Sequence, residues 1–136
     1  MRLLLDTNNI VDVLSKRDGF MDSLKILRCC EAKRAEGYVS AITVTDVMYI
    51  LRKNTAAANV RDALLALISI VDVADVTSAD IKGAFSCGMR DFEDAAQSMC
   101  AERIVADFIV TRNVKDFVLS PVQAVTPSNA LALISG

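Results

Sequence analysis

Apolar positions along this chain alternate between two rhythms: short unbroken runs, and stretches that repeat every three or four residues. Arg2–Asp6 carries three consecutive leucines and reads as a short strand buried on both faces. Ile10, Val11, Val13 and Leu14 then take helical spacing up to Lys16-Arg17, and Asp18-Gly19 breaks it. A second helix is expected from about Met21 to Glu36, with Gly37 stopping it, followed by a strand at Tyr38-Val39-Ser40. Thr43 opens a helix apolar at Val44, Val47, Met48 and Leu51, and Ala56–Ile68 forms the next. Ile70–Val73 reads as a third strand, and Ser78 caps a helix that runs to Cys87 before Gly88. Asp91–Ile104 has the clearest helical pattern, with Phe92, Ala95, Ala96, Met99, Cys100 and Ile104 on one face. Phe108–Val110 and Val122–Val125 complete the strands, and Pro127 suits the first turn of a closing helix, Ser128–Ile134.

Strands separated by helices imply right-handed crossovers and a mainly parallel sheet covered on both faces. The expected fold is therefore α/β, a three-layer α/β/α sandwich around about five strands. With 136 residues, no repeats and no flexible linker, a single domain spanning residues 1–136 is expected. A hydrophobic content of 53% and a mean hydropathy of +0.38 fit a substantial core rather than disorder. No apolar run approaches the roughly 18–20 residues of a membrane helix. Asp6 also interrupts the first apolar run too early for a signal peptide, so a cytoplasmic protein without membrane attachment is expected. Cys29, Cys30, Cys87 and Cys100 lack paired-ligand spacing and read as reduced, packed thiols.

The chain has no histidine, which removes Ser-His-Asp and Cys-His nucleophile systems and His-containing zinc sites. Any catalysis must then use carboxylates, hydroxyls, amides and Lys or Arg, and clustered carboxylates suit hard cations such as Mg²⁺ or Mn²⁺. A net charge of −2 and a pI near 5.1 lack the basic signature of a nucleic-acid binder, although acids neutralised by bound cations distort such a total. Asp6 ends the first strand; Thr111, Arg112, Asn113 and Asp116 follow the fourth. Asp46 lies one turn into a helix, and Asp91 and Asp94 begin another. Parallel sheets bind ligands beyond the carboxyl ends of their strands, where these acids fall. Each acid also has an ordinary explanation, because negative charge at a helix N-terminus is favourable by about 0.3–1 kcal/mol. Asp6 or Thr7 can cap the first helix, and Thr43-x-x-Asp46 and Asp91-x-x-Asp94 resemble capping boxes. Singly, Asp46 and Asp91 are better explained as caps; only the combination argues for a site.

Four stretches carry a family resemblance: Leu4-Leu-Asp6-Thr-Asn8, Ser40-Ala-Ile-Thr-Val-Thr-Asp46, Asp91-Phe-Glu-Asp94-Ala-Ala and Ile109-Val-Thr-Arg-Asn113-Val-Lys-Asp116-Phe. Together they resemble a PIN domain, the ribonuclease fold of VapC-like toxins in toxin–antitoxin pairs, across nearly the whole chain. The resemblance implies a ring of acids binding Mg²⁺ or Mn²⁺, with Asp6 as the first acid, Asp94 the third and Asp116 the fourth. Asp46 stands where the family usually has glutamate, and one methylene less shortens its reach by about 1.5 Å. Asn113 stands where many members have another aspartate, Thr111 matches a hydroxyl that accompanies this loop, and Asp91 takes a supporting place beside Asp94.

The reaction so implied is divalent-metal-dependent hydrolysis of RNA phosphodiesters, with Asp6, Asp94 and Asp116 holding the metal and Asp46 completing the catalytic set. Thr7, Asn8 and Asn113 are candidates to orient water or substrate. Arg112 and Lys115 are candidate phosphate contacts, and Arg52 and Lys53 candidate extensions of the same groove; each reads equally well as a solvated charge. The implied partners are RNA, a cognate antitoxin and a second copy of the chain. A haloacid-dehalogenase-like reading of the strand-end acid fits less well, since position 8 is Asn8 rather than a second acid. A receiver-like phospho-acceptor reading expects paired acids at the first strand, a lone Asp after the third and a Lys after the fifth, a set that the chain does not supply. The other alternative is a degenerate PIN-like module that binds nucleic acid or protein without cleaving.

Overall fold

In the computed structural model, which describes residues 1–136, five parallel strands form one sheet. They are β1 (Arg2–Leu5), β2 (Glu36–Ser40), β3 (Asp72–Ala74), β4 (Phe108–Val110) and β5 (Ala124–Val125), arranged β3-β2-β1-β4-β5. Seven helices connect and cover them: α1 (Thr7–Ser15), α2 (Phe20–Glu31), α3 (Ala41–Leu51), α4 (Ala57–Ile68), α5 (Ser78–Ser86), α6 (Phe92–Arg103) and α7 (Pro127–Ser135). A short 3₁₀ turn, Val114–Phe117, follows β4. This is the expected three-layer PIN-like α/β/α architecture.

Side-chain alternation along β1 divides the core. Leu3 and Leu5 enter a cluster with Ile10, Ile26, Val39, Val47, Leu64, Val110 and Ala130, to which α1 to α4 and α7 contribute. Leu4 points to the other face, where Ile109, Ala101 and Phe117 enclose it. Both faces are therefore dry, which explains why these strands lack the apolar–polar alternation of a half-exposed sheet. Chain order reverses between β1 and β4, the neighbours at the centre of the sheet. The carboxyl ends of those two strands form the crevice where ligands of such sheets bind.

Several boundaries differ from the sequence expectation. The second helix ends at Glu31, not Glu36. Lys33 adopts a left-handed conformation with φ 60°, and the Lys33 and Arg34 amides donate back to the Cys30 and Cys29 carbonyls, closing the helix early. Gly37 lies inside β2 rather than terminating a helix. A Cβ there would sit 2.6 Å from Cys30 Sγ and 2.9 Å from Val71 Cγ1, so close packing of α2 on the sheet requires glycine. α3 begins at Ala41, two residues before Thr43, because Ser40 is its N-cap and accepts from the Thr43 amide at 3.2 Å. Thr43 is therefore not a cap; its buried hydroxyl is free for other partners. β3 starts at Asp72, later than expected, and Thr77 rather than Ser78 caps α5 through a reciprocal box with Asp80. Asp91 caps α6 from outside, and β5 is only Ala124–Val125. All four cysteines are free thiols, and no helix is long and apolar enough to cross a membrane.

Candidate metal centre

Asp6 stands at the end of β1 and at the start of α1, as the junction of an apolar run with Thr7-Asn8-Asn9 requires. Its amide donates to the Val110 carbonyl at 3.0 Å, so the β1–β4 ladder continues into the site. Its carboxylate is only 7% exposed. Oδ1 accepts from the Thr7 amide and Oδ2 from the Thr111 hydroxyl, each at 2.8 Å. Burial raises the Asp6 pKa above the usual carboxylate range; hydrogen bonds from Thr111, Thr7 and Gln97 oppose that shift. Asp6 is thus both the N-cap of α1 and the buried floor of an acidic cavity.

That cavity, of about 270 Å³, is lined by Asp6, Thr7, Asn8, Asp91, Glu93, Asp94 and Asn113, with Arg17 and Ile50 at its margin. Asp91 reaches the cavity from the N-cap of α6, where its Oδ1 accepts from the Asp94 amide at 2.9 Å. Asp94 is half-buried one turn inside the helix, and its pKa is pushed up to about 7 by burial and by the charges of Asp91, Asp6 and Asp116. Glu93 is pushed up to about 8, first by a hydrogen bond shared with Asp46 and then by burial and neighbouring acids. Asp46 does not line this cavity; it meets the site through Glu93. Asp116, in the 3₁₀ turn, lines an adjoining cavity with Arg90, Asp91, Asp94 and Lys115.

Behind the acids lies a layer of hydroxyls, which includes the expected Thr7 and Thr111, together with Thr43 and the amide of Gln97, to which the sequence pattern assigns no place in the site. Gln97 is 1% exposed and its Nε2 donates to Thr43 Oγ1 at 3.0 Å. Thr43 Oγ1 also meets Thr7 Oγ1 at 2.9 Å, which ties α3, α6 and α1 together beneath Asp6. The Thr111 hydroxyl accepts from the Asn113 amide at 3.1 Å and from Asn8 Nδ2 at 3.5 Å. Gln97 had a legible signal: it lies three residues after Asp94, on the same side of a helix whose neighbours are alanine and serine. Glu93 falls within the Asp91–Asp94 motif, where its sequence position alone reads as a first-turn acid favoured by the helix dipole.

Among the candidate phosphate contacts, Lys115 lines the cavity beside Asp116. Arg112 is already engaged: its Nε lies 3.1 Å from Oδ2 of the buried Asp12. Arg52 and Lys53 both sit 4.9 Å over the Tyr49 ring.

The donor set consists of carboxylate, amide and hydroxyl oxygens, the chemistry hard divalent cations take. Two observations fit such an ion. Asn8 Oδ1 is buried beside the cavity without a hydrogen-bond partner, and Asp94 carries the accumulated repulsion of three other acids. As the side chains stand, no three acids are close enough together to hold an ion.

The sequence pattern of a PIN domain matches residues 2–115. No curated protein matches the chain. Among solved structures, a toxin–antitoxin complex from Klebsiella pneumoniae contains a chain 26% identical, with a TM-score of 0.70, covering 92% of this chain and 97% of that one. VapBC2 from Rickettsia felis, bound to a DNA fragment from its promoter, is similar at 20% identity and TM-score 0.72, covering 93% and 98%. VapBC-1 from nontypeable Haemophilus influenzae gives 19% identity and 0.71, covering 94% and 99%. With its motifs in order along a five-stranded parallel sheet and a family match over most of its length, the chain belongs to the PIN domain family.

Proposed function

We propose that this chain is a divalent-metal-dependent endoribonuclease and the toxin of a toxin–antitoxin pair. The observation that carries the reading is the acidic cavity at the carboxyl ends of β1 and β4, floored by the buried Asp6. Asp6, Asp94 and Asp116 would hold Mg²⁺ or Mn²⁺, with Asp91 and Asn113 beside them. Such an ion, when bound, lowers the pKa of water for attack on phosphorus and stabilises charge on the phosphoryl oxygens.

The remaining work falls to this chain's own groups. Thr111 and the Thr7 amide hold the Asp6 carboxylate in one orientation, and Gln97 with Thr43 supports it from below. Asn8 lines the same cavity, and its buried amide oxygen, which has no partner within the chain, is available to a group bound there. Asp46 contributes to the catalytic set through Glu93, the longer neighbouring acid that it holds in its raised-pKa state and that itself lines the cavity. Lys115 offers a positive charge to a phosphate on the Asp116 side.

The partner is an antitoxin, a reading supported by the toxin–antitoxin complexes among the structural neighbours. A homodimer belongs to the same reading, since exposed rings such as Phe85, 4.6 Å from Phe92, offer apolar surface for a second copy. A soluble, cytoplasmic setting and a single domain over residues 1–136 complete it. One observation favours the non-catalytic alternative: no three acids are preassembled around an ion position. Incubating purified protein with defined RNAs and Mn²⁺ or EDTA decides between them. Cleavage that needs Mn²⁺ and disappears in Asp6→Asn and Asp94→Asn supports the nuclease. Cleavage that persists in EDTA or in both variants overturns the assignment.

A further inference from the structure

A second cavity, of about 710 Å³, adjoins the acidic one, and the two share Arg17 and Ile50 in their walls. Its size lies within the roughly 300–1,000 Å³ that accommodates a drug-sized ligand. It is bounded by α1, the end of α3 and the start of α4. Leu14, Leu51 and Val60 supply apolar walls, and Asn54, Thr55 and Asn59 a polar rim. The side chains of Asn54 and Asn59 are exposed and make no hydrogen bond within the chain, so both amides are free to donate and accept.

Arg17 stands at the junction. Its backbone is fixed, with its amide donating to the Asp12 carbonyl at 3.0 Å and its carbonyl accepting from Phe20 at 3.0 Å. Its side chain is exposed and joins none of the three ion pairs of the chain. A free guanidinium thus stands where an acidic centre adjoins a chamber with apolar walls and amide edges. Arg90 and Lys115 line a third cavity, which shares Asp91 and Asp94 with the acidic one. Cationic side chains thus line both cavities that share residues with the acidic one, charge that suits a polyanionic strand.

We propose that the chamber beyond Arg17 is a nucleobase subsite for single-stranded RNA. Arg17 binds the phosphate next to the one cleaved, and Asn54 and Asn59 read the edge of the base that enters. Amide side chains recognise base edges in this way, and sequence-specific RNA recognition targets unpaired bases that can be splayed into pockets. The proposal rests on the nuclease reading for the position of the cut, but base binding is measurable apart from cleavage.

Two measurements test it. In the first, wild type, Asn54→Ala, Asn59→Ala and Arg17→Gln cleave a random single-stranded RNA pool with Mn²⁺, and the cut ends are sequenced. In the second, EDTA prevents the proposed cleavage, and affinity is measured for a short oligoribonucleotide carrying an abasic residue at successive positions. The asparagine variants are expected to flatten nucleotide preference at one position beside the cut by about five- to tenfold. The abasic residue should weaken wild-type binding at that same position and leave the asparagine variants insensitive to it. Arg17→Gln should weaken binding of all sequences alike and reduce the salt slope by about 0.7. All three positions are exposed, so unchanged melting temperatures exclude misfolding. If wild type cleaves and the variants keep its profile and salt slope, the subsite is wrong and the nuclease stands. If wild type binds without cleaving, the nuclease reading fails and the abasic series still judges the subsite. Variants that weaken only a complex with a partner protein would identify the chamber as a protein-docking groove and overturn the proposal.

Discussion

The Thr111 hydroxyl serves three neighbours at once: it donates to Asp6 Oδ2 and accepts from Asn8 Nδ2 and the Asn113 amide. Thr111→Val keeps the shape and removes all three bonds. A hydrogen bond to a charged, buried group is worth about 1.5–3 kcal/mol, so urea denaturation at neutral pH should show a loss of that order. Thr111→Ser should recover most of it, and RNA cleavage should follow the same order of variants. A valine variant as stable and active as wild type would remove Thr111 from the site. At this scale the sequence showed the acids best, because Asp6 and Asp94 fall at junctions that topology brings together. It showed their supports poorly. Gln97 occupies what looks like a gap in an apolar stripe, and Glu93 looks like any first-turn acid. The role of each depends on a partner more than 45 residues away in sequence, Thr43 and Asp46, which a local pattern cannot reveal.

Elements are held in register by a few specific contacts, and Arg112 provides one. It follows β4 and pairs with Asp12 on α1, whose Oδ2 it meets at 3.1 Å while Asp12 Oδ1 stays buried without a partner. The pair fastens the loop carrying Asn113 and Asp116 to the first helix. A substrate-binding arginine would raise KM when replaced and leave stability alone. Arg112→Gln is instead expected to lower stability by about 1–3 kcal/mol, discounted because the guanidinium is 48% exposed, and to change RNA affinity little. Thermal denaturation beside a binding titration separates the two roles. Gly37→Ala tests the α2–sheet contact in the same way. Its Cβ would overlap Cys30 Sγ and Val71 Cγ1, and overpacking of this kind costs about 1–3 kcal/mol. Helix and strand order was legible because the apolar rhythm changes at each junction. The ends were not. Leaving α2 at Glu31 depends on the left-handed Lys33 and on pairing of the Glu36 amide with the Met1 carbonyl, a contact across the sheet.

For the molecule as a whole, the acidic cavity opposes folding, and the opposition depends on pH. Asp94 titrates near 7 and Glu93 near 8 in the folded chain, against ordinary values of 3.8 and 4.5. Between those limits the folded state binds more protons than the unfolded state, so stability falls as pH rises. The contribution is constant below about pH 4, where both states are protonated, and is lost progressively from there to about pH 8. Without metal, the melting temperature should therefore drop between pH 5 and pH 8, approximate working values inside that window. On the proposed reading, a divalent cation would supply the positive charge that the protons provided and would bind only the folded, ionised cluster. Its stabilisation should then be small at the acidic end and large at the alkaline end, growing with concentration as mass action requires. Asp94→Asn removes one repelling charge. In EDTA at the alkaline end it should melt higher than wild type, and it should lose most of the Mn²⁺-induced shift. A wild-type melting temperature that ignores Mn²⁺ throughout this pH range, with Asp94→Asn no more stable than wild type, would show that these acids do not form a working metal centre.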